Sequence, residues 1–213
     1  MIALALNVAV VSFTVTIAGA HGRLGRELVS QCLQRGWSVN GVVRRPEDPV
    51  FAPIRKGWLS PNEKEDSQRI PILSSNLTLT TNTTCKSNTN GIVFVMSARP
   101  FSTKLEMSVQ NEVVRRLCGT ARSTNCSKIC LVSAFGSGDS LEGSNVGYKI
   151  MHDFYLKEGY AAKEEQERIV SKTPDMDTLI LRPKVLSFEK IPMNNFAVVR
   201  SELAEQILDW LEV

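Results

Sequence analysis

Residues 15–29 constrain the fold of this chain more than any other stretch. A β-branched run, Val15-Thr-Ile-Ala18, stops at Gly19. Gly22 and Gly25 follow at three-residue intervals, and an amphipathic helical pattern begins with Leu24 and Leu28. Strand, tight turn and helix start therefore come in immediate succession. The free N–H groups of such a helix start, and the positive end of its dipole, favour an anion above the turn. Gly19 suits the tight turn, Gly22 a close approach of backbone to a pyrophosphate, and Gly25 close packing of helix on strand. The spacing G-x-x-G-x-x-G is one residue away from the G-x-G-x-x-G of dinucleotide-binding turns. His21, Arg23 and Leu24 fall inside the same turn, and Arg26 one position beyond it. Residues 19–25 are thus expected to face a cofactor. His21 is expected to meet phosphate there, not to catalyse.

A second strand is expected over 38–43, after Gly36 at the helix end, and it leads into Arg44 and Arg45. In a dinucleotide-binding sheet this strand end faces the adenosine ribose. An acidic residue there binds the 2′-hydroxyl, whereas arginine accommodates a 2′-phosphate. The guanidinium fork stays charged and bonds phosphate bidentately. The expected cofactor is therefore NADP, with NAD the weaker fit.

Helical and strand patterns alternate along the rest of the chain, which predicts a doubly wound α/β sheet. Further strands are expected over 70–73, 92–96, 128–132 and 178–181, with 77–90, rich in Thr and Asn, as loop. Helices are expected over 105–122, with Val109, Val113, Leu117 and Ala121 inward, over 148–171, and over 201–212 with Ser201 as N-cap. The whole, 1–213, reads as a single Rossmann domain with a parallel sheet of six or seven strands and an apolar extension over 1–11. Ligands of such a sheet bind beyond the carboxyl ends of its strands. Those ends are expected at 19–22, 43–45, 74–77, 97–100, 133–136 and 182–184. Asn76 and Leu77, and Ser97, Ala98 and Arg99, are accordingly expected to face the cofactor.

Composition narrows the partners. A net charge of +3 without a basic block gives no reason to expect nucleic acid. Five scattered cysteines, none in a C-x-x-C pair, suggest neither a metal site nor a disulfide framework and fit a reducing, cytoplasmic setting. The apolar start ends in Ala18-Gly-Ala20 but lacks a basic segment ahead of it, and cleavage after Ala20 would destroy the turn. Asn7, Ser12, Thr14 and Thr16 interrupt it as a membrane span.

Residues 19–25, the arginine pair, Val132-Ser133-Ala134 and Thr178-Leu-Ile-Leu-Arg182-Pro183 recur in this order in a known family. The chain resembles the atypical short-chain dehydrogenase/reductases, above all their NmrA-like and biliverdin-reductase-B-like members. The resemblance runs from 14 to 211 and is poor between 47 and 90. It implies hydride transfer from NADPH to a small carbonyl, quinone or flavin-like acceptor. Ser133 would orient that acceptor, and Arg182 and Pro183 would pass the nicotinamide. The family's proton donor is a tyrosine with a lysine four residues on, and here the sequence departs. His152, Gly159 and Glu164 stand four residues after Tyr148, Tyr155 and Tyr160. Tyr160 with Lys163, three apart, is the nearest substitute, and Lys163 is also expected to hold the cofactor's ribose. Lys163 with Glu167 matches a lysine–glutamate spacing of NmrA-like chains. The departure keeps a second function open: an NADP(H)-binding redox sensor without catalysis, acting through a protein partner. A homodimer is the other partner expected.

Overall fold

In the structure, a computed structural model, residues 13–46, 76–96, 103–124, 126–141, 157–187 and 197–213 are described. Six strands form one sheet: β1 (Thr14–Ala18), β2 (Ser38–Val42), β3 (Leu77–Thr80), β4 (Gly91–Phe94), β5 (Lys128–Val132) and β6 (Asp177–Leu181). Their order is β3-β2-β1-β4-β5-β6, and every neighbouring pair is parallel. The chain begins at β1, runs outward to β3 and returns to the far side of β1 as β4. The order therefore reverses between β1 and β4, where such sheets open a ligand crevice.

Helices cover both faces. Helix α1 (Arg23–Gln34) packs on the last helix, α4 (Arg200–Glu212), whereas α2 (Lys104–Ala121) packs on α3 (Lys157–Ser171). The strands divide their side chains accordingly. Val15, Ile17, Val39 and Val93 join Leu24, Leu28, Ile207 and Leu211 in one core. Ala18, Val42, Ile92, Phe94 and Leu131 join Val114, Leu117 and Val170 in the other. Burial on both faces is why these strands read as continuous apolar runs. A small parallel pair, β7 (Val185–Ser187) with β8 (Ala197–Val199), lies beside the main sheet in the sequence between β6 and α4.

The α/β class and the six parallel strands agree with the sequence reading, and three local expectations do not. The strand beside β2 is Leu77–Thr80, in a stretch expected to be loop; the expected strand at 70–73 lies outside the described residues. Threonine is β-branched and fits a pleated surface as well as a turn, and Leu77 and Leu79 pack against the first core. In α2 the inward face is Met107, Val114, Leu117, Cys118 and Ala121, while Val109 is exposed. Finally, α4 starts at Arg200 with Val199 as its N-cap and no side-chain cap bond, so Ser201 is already helical. Helix α3 continues through Gly159; its expected part before 157 lies outside the described residues, as does the extension over 1–11.

Candidate cofactor crevice and the polar network beneath it

The turn after β1 is held by its own backbone. Gly19 sits at φ +96°, its N–H donates to the Val42 carbonyl, and its carbonyl accepts the Gly22 N–H at 2.8 Å. A side chain on Gly25 would put its Cβ 2.2 Å from that same carbonyl and 2.9 Å from Ala20 Cα. Helix and turn therefore touch where only glycine fits. Gly22 is the N-cap of α1, with no side chain to cap the helix and no acidic residue in its first turn. The first N–H groups of a helix have no acceptor within it. Arg23 and Arg26, in the first turn of α1, are basic. The Arg26 Nε donates to the His21 carbonyl at 3.1 Å and braces the turn. These residues fit the pyrophosphate of a dinucleotide. The Leu24 side chain is buried in the core, so only its backbone faces the turn.

Arg44, just beyond β2, is largely exposed, with its guanidinium 3.8 Å from Glu106 in the first turn of α2. Arg45 is exposed beside it. The geometry leaves both arginines reachable by a phosphate at the end of β2.

Asn76 and Leu77 are a correction. In the register of β3, Leu77 pairs with Val39 and the Asn76 carbonyl accepts the Val39 N–H. Both residues lie at the amino end of the strand, and Asn76 lines a cleft there with Thr14 and Ser38. That is the edge of the sheet opposite the glycine turn. The expectation placed them after a strand, and the shift of β3 puts them before one. Ser97, Ala98 and Arg99 lie outside the described residues.

At the carboxyl ends of β4, β5 and β6 a buried polar network gathers. The Ser133 N–H donates to the Leu181 carbonyl, and its Oγ lies 3.0 Å from Ser137 Oγ. Ser137 Oγ is within donating distance of the Ala134 carbonyl, 2.6 Å, and of Glu167 Oε1, 2.9 Å. Arg182 grips the same carboxylate with both arms, Nε to Oε1 at 3.1 Å and Nη2 to Oε2 at 2.7 Å. Burial by itself would raise the Glu167 carboxyl. Its bonds with Arg182, Ser133 and Ser137 outweigh this and hold it below the ordinary carboxylate range. Arg182, expected at the nicotinamide, thus spends its fork on Glu167. Pro183 serves through its carbonyl, which accepts the Phe135 N–H.

Lys163 comes next to this network from α3. Its Nζ reaches the Met96 carbonyl at 2.5 Å, the Val132 carbonyl at 3.1 Å and Gln166 Oε1 at 3.3 Å. An ammonium has three N–H donors, and these three acceptors take them all. Lys163 therefore ties the ends of β4 and β5 together. Neither a ribose hydroxyl nor the Tyr160 phenol has a proton of Lys163 to share in this arrangement, contrary to the expectation. Burial pushes the lysine down to about 8, against the upward pull of the Glu167 charge. Tyr160 sits half-buried one turn earlier on the same helix.

Sequence reasoning did not single out Ser137 or Gln166 and knew Glu167 only by its spacing to Lys163. The available signal was the stripe Lys163, Gln166, Glu167 and Val170, which is one helix face. All four are buried.

The comparisons bear on the family and the fold. A family model described as NAD(P)H-binding matches residues 19–206. No curated protein matches in sequence. Among solved structures, the oxidoreductase ylbE of Lactococcus lactis superposes with a TM-score of 0.63 at 14% identity, covering 94% of this chain and 85% of that one. UDP-N-acetylglucosamine 4-epimerase from Bacillus cereus gives 0.62 at 14% identity, covering 94% and 74%. The anaerobillin reductase ChuY from Escherichia coli O157:H7 gives 0.58 at 14% identity, covering 92% and 89%. At these identities the likeness is one of fold.

Proposed function

Since the chain belongs to the NAD(P)H-binding family, we propose that it is an NADP(H)-dependent oxidoreductase acting on a small carbonyl, quinone or flavin-like acceptor. The observation that carries the reading is the pairing of two sites on one sheet edge. An uncapped helix start with exposed Arg44 and Arg45 suits a phosphorylated dinucleotide. A fixed polar network led by Ser133 lies across the strand-order switch from it. The bound nicotinamide would supply the hydride. Gly19, Gly22 and Gly25 would hold the pyrophosphate through backbone N–H groups, with Arg23 adding charge. Arg44 would take the 2′-phosphate, with Arg45 as the alternative. Ser133 would orient the acceptor, and Glu167, Arg182 and Lys163 would keep Ser133 and the ends of β4 and β5 in place. The proton would come from solvent, with Tyr160 as the alternative donor.

A second reading is favoured by one observation: all three Lys163 protons are used within the protein. A tyrosine–lysine proton donor is then missing, and a non-catalytic NADP(H) redox sensor acting on a protein partner would need none. Oxidation of NADPH against a panel of quinones, flavins and aldehydes separates the two. Turnover above background with any acceptor supports the reductase. Tight NADPH binding without turnover on the whole panel supports the sensor. No described helix is long and apolar enough to cross a membrane, and we place the protein's action in the cytoplasm.

A further inference from the structure

The proton count around Ser137 fixes which way Ser133 presents its hydroxyl. Ser137 has one O–H proton and two acceptors for it, the Ala134 carbonyl at 2.6 Å and Glu167 Oε1 at 2.9 Å. Neither can give a proton back. A carbonyl never donates, and Glu167, held by both arms of Arg182, is an ionised carboxylate that only accepts. The Ser137 proton is therefore committed to one of those two oxygens. Ser133, whose Oγ lies 3.0 Å from Ser137 Oγ and which also bonds the Glu167 carboxylate, is then the donor toward this cluster. With its proton directed inward, Ser133 has only oxygen lone pairs for a ligand in the crevice. This is the reverse of the polarity needed to polarise a substrate carbonyl.

We infer that Ser133 accepts a hydrogen bond from the bound acceptor, so that the site selects acceptors carrying an N–H donor, such as a lactam, over otherwise identical molecules without one. The inference rests on the reductase reading for the place of the acceptor, and it adds the class of substrate. A site built to accept from an N–H discriminates against an analogue that lacks it, because the buried lone pair is then left without a partner.

Isatin and 1-methylisatin test this. They share the reducible ketone, and only the first has a lactam N–H. Their affinities are measured by calorimetry on the protein loaded with NADP+, so the result does not depend on turnover. The expected preference for isatin is about tenfold. Ser133→Ala should abolish it. Ser137→Ala removes one of the two inward acceptors of the Ser133 proton, leaves Glu167 as the other, and should weaken the preference, while Ser137→Thr, which keeps the hydroxyl, should retain it in full. The two variants of Ser137 also separate loss of the relay from loss of folding.

Equal affinities in the wild type, tighter binding of 1-methylisatin, or no binding of either compound overturns the inference. A preference that survives Ser133→Ala is a steric effect of the methyl group and overturns it as well. Failure of the reductase reading looks different. In that case no acceptor of the wider panel consumes NADPH, whatever the two isatins do in binding.

Discussion

Both arms of the Arg182 guanidinium close on the Glu167 carboxylate, at 3.1 and 2.7 Å, joining the end of β6 to the middle of α3. Glu167 is buried, and about a third of the Arg182 side chain meets solvent. Removing one partner leaves the other charge without its mate. Arg182→Met should cost about 2–3 kcal/mol in urea unfolding, below the full cost for a wholly buried pair. Adding Glu167→Leu should cost less than the sum of the two single changes. The contribution of the pair is complete above the ordinary glutamate range. It falls as pH drops through the lowered value Glu167 has in the folded chain. Additive single-variant costs would contradict the coupling.

Lys163 gives a pH dependence of the opposite hand. Folding lowers it from 10.5 to about 8. Between those values the unfolded chain keeps the proton and the folded chain releases it, so the lysine's own contribution to stability should rise with pH across that window. Below it both states are charged, and the full cost of burying the ammonium stands. The buried cysteines, whose thiols folding pushes up, act in the opposite sense near the top of this window and do so equally with or without Lys163. The wild type should therefore gain on the order of 2–3 kcal/mol relative to Lys163→Met between about pH 7 and about pH 10 in urea unfolding. A difference between the two chains that stays constant over this range would contradict the burial of a protonated lysine.

Two glycines should respond differently to the same change. At Gly25 a methyl group meets the Gly19 carbonyl at 2.2 Å. At Gly36, in the turn after α1 at φ +76°, nothing lies within 4 Å. Gly25→Ala should destabilise by about 3 kcal/mol and abolish NADPH binding, because the turn itself must move. Gly36→Ala should cost about 1 kcal/mol for its left-handed backbone and leave binding unchanged. Retained NADPH affinity in Gly25→Ala would place the cofactor elsewhere.

The sheet was legible because its strands are buried on both faces. Val15 to Ala18, Ile92 to Phe94 and Ile129 to Val132 read as continuous runs, and burial of each run is what the structure gives. The glycine turn was legible because its steric demands leave no alternative at Gly25. The edge strand Leu77–Thr80 was not, since alternating Leu and Thr on a half-covered edge looks like a polar loop, and Asn76 and Leu77 were misplaced with it. The network under Ser133 was hidden for another reason. Lys163, Gln166 and Glu167 follow helical spacing but are polar, and hydropathy assigns such a stripe to solvent. Their partners, the Met96 and Val132 carbonyls and Ser137, come from other elements and become neighbours only when the sheet forms.

Proton delivery distinguishes Tyr160 from solvent. All three Lys163 donors are spent on other groups, so Lys163 does not pair with the phenol as the family's lysine would. Tyr160→Phe should therefore change kcat with any acceptor turned over by less than about threefold, far from the roughly hundredfold expected of a lost general acid. A large loss with NADPH affinity intact would make Tyr160 the donor after all.

Calorimetric titration with NADPH and NADH asks whether residues 19–25 and the arginine pair bind NADP(H). The wild type should bind NADPH more tightly. The double change Arg44→Ala with Arg45→Ala should weaken NADPH far more than NADH, because charge-assisted bonds to the 2′-phosphate are lost. Equal affinity for the two cofactors, tighter NADH, or an NADPH affinity untouched by the double change would contradict this assignment.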